Sequence, residues 1–485
     1  MINSIQQFQA EGTKRINKIF EKYSEDMSKI AEMVTGITEE VTKLGLDMIA
    51  EEFEYYDSLL REKKYLRRGW YIVRTDRHTL TTSLGDVVYK KTLFRHKQTG
   101  VYRYLLDEVM RIKSHTRITE DAIARILSEA VESCYRKGGK NACITGGNIS
   151  KMTVMNKIHE LKFPKLKANG EKKAVRKLYI DADEDHVALQ YLETKGDIKK
   201  PRINTIMPKI AYIYEGVDTE LDGRPRLINT KYFGGVYEGA DGIEKFWKEV
   251  YEYIESAYDI NGIETIYING DGAAWIKAGV KYIHPAKFIL DKYHMYKYII
   301  SATAHLEDSK SDAISEIYRA IHKKRKYMAE EAFDKILSVT EKESKAKAVQ
   351  VSKEYILKNW AGIILSMKGK DENIRCSAEG HVSHVYSDRM SSRPLGWSKV
   401  GADKMSRLRV YWKNGGSMLE LVRYQEQELP VAVGAEEVIY SSTKMIAAER
   451  KNREQLGMFA DMPVYTIPYP HIKKIMAIKN HIWGL

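Results

Sequence analysis

A chain of 485 residues, 43% of them hydrophobic, is too long for one ordinary domain and has enough apolar side chains for roughly two to four packed cores, which excludes a disordered protein. Lys and Arg outnumber Asp and Glu by 79 to 66, a formal charge of +13 that favours a polyanionic partner such as nucleic acid. The three cysteines, Cys134, Cys143 and Cys376, form no CxxC pair, which excludes a disulfide framework and structural zinc and points to a reducing compartment.

The amino-terminal stretch carries one strong regularity. Ile16, Phe20, Tyr23, Met27, Ile30, Val34, Ile37, Val41, Leu44 and Met48 follow one another at alternating steps of four and three, a heptad seam with charged residues between. The pattern predicts a long helical segment over 1–65, weakened and divided near Gly36, whose seam meets either a second copy of the chain or the rest of the protein. From Trp70 the period changes to two (WYIVRT, HTLTTSLGDVVYKKTLF, VYRYLL), which predicts a small antiparallel β region over 66–110. Just before it, Arg61, Lys63, Lys64, Arg67 and Arg68 interleave with Tyr65 and Trp70, a pattern shared by phosphate-contacting surfaces and solvated helix ends.

Over 111–165, Thr119 is placed to cap a helix through Ala122, Ile123, Ile126, Leu127 and Val131 that stops at Lys137-Gly138-Gly139. A second helix, opening near Ser150, carries Val154, Ile158 and Leu161 on one face. The pair predicts a helix-turn-helix that offers Lys151, Thr153, Asn156 and Lys157 to a major groove; an ordinary helical hairpin shares the pattern. The basic run that follows, with Lys162, Lys165, Lys167, Lys172, Lys173, Arg176 and Lys177 around Gly170, predicts a flexible linker at 166–177 able to track a phosphate backbone.

A strand from Leu178 then enters a cluster of acids, in which Asp181, Asp183 and Asp185 fall on one face by the two-residue period. Three like charges on one face repel unless a cation lies between them, and hard oxygen donors suit magnesium or manganese; a solvated acidic turn is the plainer alternative. Two more strands and an amphipathic helix over Ile243, Phe246, Trp247, Val250, Tyr251 and Ile254 lead to the strand Ile266-Tyr267-Ile268, which breaks at Gly270-Asp271-Gly272. Those glycines leave the Asp271 carboxylate at the carboxyl end of a strand, where open α/β sheets bind ligands. A further strand, Phe288-Ile289-Leu290, ends on Asp291 and leads into a helix carrying His294. The order strand, strand, strand, helix, strand is that of an RNase H-like domain. Residues 178–294 are expected to form the first part of such a core, 295–375 a helical insertion, and 376–450 the last part, with a helix opened by Glu379; 451–485 is a tail with no visible chemistry.

Asp183, the Gly270-Asp271-Gly272 turn, the Asp291-x-x-His294 pair, the helical insertion and the run SAEGHVSHVYSDRMSSRPLGWS from Ser377 to Ser398 together resemble DDE-type insertion-sequence transposases of the Mutator-like group, and within it the ISLre-type family. The first Asp of that pattern falls on Asp183 by its D-x-x-x-V spacing to Val187, with Asp181 and Asp185 left open as alternatives; Glu184 stands where the wider group often has glycine. The resemblance implies an α/β protein with an RNase H-like catalytic core and an all-α insertion, preceded by an N-terminal helical segment, a small β region and a helix-turn-helix. It implies that Asp183, Asp271 and Glu379 hold two magnesium ions roughly 3.5 to 4 Å apart, with manganese able to substitute. Water would cut at the element's end, and the freed 3′ hydroxyl would then displace a target phosphodiester.

Asp291 and His294 are assigned a supporting catalytic role, positioning a ligand or the scissile phosphate, against the alternative of a buried structural histidine. Arg389 and Arg393 have the fork geometry for DNA phosphates, while His381 and His384 lack cysteines at zinc-like spacing and are read as packing or phosphate-contact residues. The expected partners are double-stranded DNA, at the element ends and at the target, and further copies of the chain assembled on that DNA. The stretch MINSIQQFQAEG has no signal pattern and no apolar run approaches a membrane span, so a cytoplasmic, nucleoid-associated protein with no membrane partner is expected. Two rival functions fit less of the pattern: an RNase H-like nuclease or resolvase that cuts without joining, and a non-catalytic helix-turn-helix regulator.

Overall fold

The computed structural model describes residues 3–113, 116–147, 149–168, 170–190, 204–218, 225–367, 376–393 and 395–427; the tail expected over 451–485 lies outside them. The chain divides into a unit that reaches to Val154 and a second from Met155 to Tyr424. No helix among the described residues is long and apolar enough to cross a membrane.

In the first unit, α1 (Thr13–Glu25) and α2 (Ile30–Glu62) form an antiparallel pair, with Arg15 bridged to Glu40 and Ile19 lying on Gly36. The chain reverses at Asp26, not at Gly36. The Asp26 carboxylate accepts from the backbone and hydroxyl of Ser28, an Asx turn that competes with the helix, whereas Gly36 stays helical and gives room for the Ile19 side chain. The heptad seam does not close this pair: Phe20, Met27, Ile30, Val34 and Val41 are 45% to 68% exposed. The far end of α2 is well covered, where Leu59 and Leu60 join Trp70, Phe94 and Leu105 in one core. That end lies on an antiparallel sheet of β1 (Trp70–Thr81), β2 (Asp86–His96) and β3 (Tyr102–Tyr104), and the buried Asp57 carboxylate accepts from the Thr92 backbone and hydroxyl.

Beyond the sheet come α3 (Glu120–Ala130), α4 (Tyr135–Lys140) and α5 (Lys151–His159). The first expected helix therefore ends well before Gly138. Gly138 and Gly139 belong to a short helix of their own, buried because Gly139 passes the Ile149 carbonyl so closely that a Cβ there would stand 2.0 Å from the oxygen. The two-helix motif read from the sequence is a three-helix cluster.

The second unit is built on a five-stranded sheet. Its strands are β4 (Lys177–Glu184), β5 (Lys209–Tyr214), β6 (Lys231–Gly235), β7 (Thr265–Gly270) and β8 (Ala286–Leu290), in the order β6-β5-β4-β7-β8. β4, β7 and β8 run parallel, and β5 lies antiparallel to both β4 and β6. Strand parity sorts the side chains. Leu178, Ile180 and Ala182, with Ile266 and Ile268, enter a core under α6 (Gly239–Ala257) and α7 (Ala274–Tyr282), which contribute Phe246, Trp247, Val250, Ile254, Trp275 and Ile276. The alternate residues Tyr179, Asp181 and Asp183, with Tyr267 and Asn269, face the other way. After β8 come α8 (Lys292–Thr303), α9 (Lys310–His322), α10 (Lys326–Ser338), α11 (Glu343–Lys358) and α12 (Trp360–Ser366), a helical block with its own core around Ile299, Ile317, Phe333 and Ile356. The chain then returns through α13 (Ala378–Val382) to α14 (Lys399–Lys413), which lies on β6.

The basic stretch expected to be a free linker is docked instead. Lys165, Lys173 and Arg176 pair with Glu252, Glu215 and Glu264, and Lys173 exchanges backbone bonds with Ala257 and Asp259. These three charges answer acids of the same unit.

Candidate active site

Where β4, β7 and β8 end, their carboxyl termini open into a cleft of about 230 Å³ lined by Asp183, Asp271, Asp291, His294 and Glu379, together with Tyr293, Cys376 and Ser377. All five residues read as catalytic from the sequence meet there, carried by four separate stretches of chain. Each is delivered by local chemistry. Asp183 is the last odd position of β4, and its Oδ1 accepts from the Glu184 backbone at 2.8 Å. Asp271 follows β7 at a turn that Gly272 completes with φ +88°, and its Oδ1 accepts from the Ala273 backbone at 2.8 Å. The Tyr355 hydroxyl, from α11, donates to the Asp271 carbonyl oxygen and ties the helical block to this turn. Asp291 caps α8 through the Tyr293 backbone, and its Oδ2 takes the Nδ1 hydrogen of His294 at 2.9 Å. Glu379 is exposed, in the first turn of α13.

The three aspartates at the end of β4 have different fates. Asp181 is fully buried and accepts from Tyr212, Tyr214, Asn269 and the Ser377 backbone. Asp185 lies beyond the strand, buried, with both oxygens taken by the Ser391 hydroxyl. Asp183 alone of the three lines the cleft, so the expectation that they share one open face is corrected: the strand ends at Glu184, before Asp185.

Burial, reinforced by the charge of Asp271, pushes the Asp183 carboxyl from 3.8 up to about 6. The hydrogen bond to Asp291 raises the His294 imidazole against the opposing effect of burial, and Asp271 and Asp183 add to the rise. His381, stacked on Tyr212 at 4.2 Å, is pushed down to about 4 by burial and packs as a neutral ring; His384 is exposed. Cys376 is half-buried at the wall of the cleft, and desolvation holds its thiol well above its ordinary value, which favours the protonated form.

The donor set suits a hard divalent cation. Asp183 and Asp271 both line the cleft and offer carboxylate oxygens near enough to feel each other's charge. Among the described residues, however, no three His, Cys, Asp or Glu side chains converge tightly enough to enclose an ion; Asp183 and Asp271 are the fitting pair.

The acid pair has a measurable consequence. The folded protein keeps the Asp183 proton to about pH 6, while the unfolded chain loses it near 3.8, so folding binds a proton in that window and stability falls as pH rises through it. Without divalent ions, Asp183→Asn is expected to be more stable than the wild type at about pH 7.5, by at most about 3 kcal/mol, and no more stable at about pH 4. Urea denaturation at the two pH values measures this, and equal stabilities at the higher one would contradict it.

The residues expected to meet DNA are scattered. Lys151 and Asn156 are exposed on α5, Lys157 is half-buried, and the Thr153 hydroxyl is engaged by Ser150 at 2.9 Å. Arg393 is exposed. Arg389 is 6% exposed with its guanidinium over the Trp397 ring at 5.0 Å, so its expected phosphate contact is corrected to a packing role. Tyr212, Tyr214, Asn269 and Ser377, which hold the floor of the site, were missed. Their one sequence signal is the alternation Tyr212-Ile213-Tyr214, which points two hydroxyls to the face of the acids only once the register is known.

Residues 23–428 match the family described as Uncharacterised protein family (UPF0236). A UPF0236 protein of Caldanaerobacter subterraneus subsp. tengcongensis is 39% identical over 410 residues, covering 84% of this chain and 83% of its own length, and its name joins eleven locus labels. A second from that organism, with the same identity and coverage, joins four. The UPF0236 protein in the vanSb 3′ region of Streptococcus gallolyticus is 26% identical over 416 residues, 82% of this chain and 86% of its own. Among solved structures, a chain described as Drosophila P element transposase strand transfer complex matches 77% of this chain and 95% of its own at 11% identity and a TM-score of 0.23, too weak a likeness to assign a fold. By sequence, then, the chain belongs to UPF0236, a family that carries no assigned activity.

Proposed function

We propose that this protein is a DDE-type transposase that cuts DNA at the ends of its own element and joins the freed 3′ ends to target DNA. One observation carries the proposal: Asp183, Asp271 and Glu379, far apart in the chain, line a single cleft at the carboxyl edge of a mixed sheet, beside the Asp291–His294 pair. The strand order β6-β5-β4-β7-β8, with β5 antiparallel, supports an RNase H-like core interrupted by the block from α8 to α12. Relatives whose single names join eleven or four locus labels support a sequence that copies itself about a genome.

In this reading Asp183 and Asp271 would hold magnesium, and Glu379, which lines the same cleft, would be the third ligand once drawn in towards them. Bound magnesium supplies activation of the attacking oxygen and neutralisation of charge on the leaving one. The chain's own residues do the rest. Asp291 holds the His294 ring through Nδ1 and favours its protonated form, in which Nε2 also carries a hydrogen and would donate to a phosphate oxygen as charge builds there. The Asp271 backbone, fixed by Tyr355, keeps the second acid from drifting as DNA enters.

A regulator that binds DNA without cutting it is favoured by one observation, the lack of three converging ligands among the described residues. Labelled DNA carrying the sequences that flank the gene on either side separates the readings. Magnesium-dependent nicks followed by joined products are expected. Nicks without joining would make the protein a nuclease or resolvase, and binding without either would make it the regulator.

A further inference from the structure

We propose that Asp181 is a positioning residue: with Tyr212 and Tyr232 it forms a platform on the sheet that fixes where Glu379 stands in the cleft. The proposal rests on the metal-dependent reading above, and it explains a buried acid that the reading does not use. Asp181 is 0% exposed, and its two oxygens accept from Tyr212 Oη at 2.7 Å, Tyr214 Oη at 3.1 Å, Asn269 Nδ2 at 2.6 Å and the Ser377 backbone at 2.9 Å. A carboxylate has about four acceptor sites, so these donors fill it and none remains for an ion. Asp181 is thus tied to β5, to β7 and to the residue that opens α13.

That last tie matters because α13, which continues without a break through Ser383–Ser387 to Met390, carries Glu379 exposed in its first turn, where a helix end frays unless something outside the helix holds it. Two points flank Glu379. On one side Ser377 is anchored to Asp181, and its hydroxyl also lies 2.7 Å from Tyr212 Oη. On the other side His381 stacks on the Tyr212 ring at 4.2 Å, with its Nδ1 2.8 Å from Tyr232 Oη. Tyr232 and Tyr212 are paired in register on neighbouring strands, and Tyr212 is paired with Asp181. The three residues therefore form one row across β6, β5 and β4, and the segment from Ser377 to His381 is pinned to that row at both ends. Misplacing a catalytic group by about 1 Å can lower a rate on the order of 100-fold, and loss of a group that orients a metal ligand typically lowers affinity or activity by about 10- to 100-fold.

The test uses the full chain and two readouts. Asp181→Asn keeps the shape and loses an acceptor oxygen. It is expected to bind DNA like the wild type, to need more magnesium for half-maximal cleavage, and to cleave about 10- to 100-fold more slowly. The second readout needs no activity: a nitroxide at Gly380→Cys, where a Cβ meets open space, in a Cys134→Ser background with the Gly380 parent as labelling control. An immobile spectrum is expected with Asp181 present and a mobile component with Asp181→Asn. Unchanged magnesium dependence together with an unchanged spectrum would overturn the proposal. If Asp181→Asn does not fold, Tyr232→Phe decides, since it removes only the hydroxyl bonded to His381: a mobile label supports the platform and an immobile one overturns it. A wild type without metal-dependent cleavage refutes the transposase reading instead, and the label still decides the platform.

Discussion

Asp271→Asn is expected to fold and to bind element-end DNA like the wild type, while magnesium-dependent nicking falls on the order of 1,000-fold or more. The change removes one negative charge and almost no volume. The substituted amide would still accept from the Ala273 backbone through its side-chain oxygen, and the Tyr355 bond is made to the backbone carbonyl, so the turn keeps its supports. What is lost is half of the Asp183–Asp271 pair. Several kcal/mol of charge stabilisation at a reacting phosphate correspond to about three powers of ten in rate. Single-turnover nicking with a gel-shift control measures both halves of the expectation. A variant that binds and cuts at the wild-type rate would remove Asp271 from the chemistry and the DDE assignment with it.

The largest stability effect is expected from Trp247→Ala, a loss of about 3 to 5 kcal/mol, which lowers the melting temperature of the second unit by about 10 °C. Trp247 is fully buried in α6, edge-on to Phe246 at 5.2 Å and stacked on Trp275 at 6.0 Å, with its indole N–H donating to the Trp275 carbonyl at 2.8 Å. Gly279 exists to admit it, since a Cβ there would stand 2.8 Å from the ring. Truncation leaves a cavity under Ile268 on β7, the strand that delivers Asp271, so nicking should weaken along with stability. Thermal melts of Trp247→Ala beside Trp247→Phe give the measure, and a loss below about 1 kcal/mol for the alanine variant would mean the site is less packed than described.

How much of this could be read from the chain follows the range of the interactions involved. The strand carrying Asp183 and the strand and glycine turn carrying Asp271 are local patterns, and Asp291 caps its helix through a residue two positions away; all were visible. The spacing to Val187 already favoured Asp183; what kept Asp181 and Asp185 open as alternatives is that their burial is set by partners 31 to 206 residues distant: Tyr212, Asn269, Ser377 and Ser391. Arg389 looked like a phosphate contact because its type was visible and the Trp397 ring beneath it was not. The helix break was misplaced for another reason. Glycine weakens a helix by only about 1 kcal/mol, and neighbouring packing easily offsets that, whereas the Asp26-x-Ser28 turn offers the backbone a competing set of bonds.

The bond between Asp181 and Ser377 spans 196 residues. At about 5 to 20 residues per second of synthesis, roughly 10 to 40 seconds separate the emergence of its two ends from the ribosome. Through that interval a nascent chain can fold the strands bearing Asp183 and Asp271 but has no Glu379 to set beside them. A truncated product that stops within the helical block is left in the same condition. The assembly of the cleft is thus postponed until synthesis has passed Glu379.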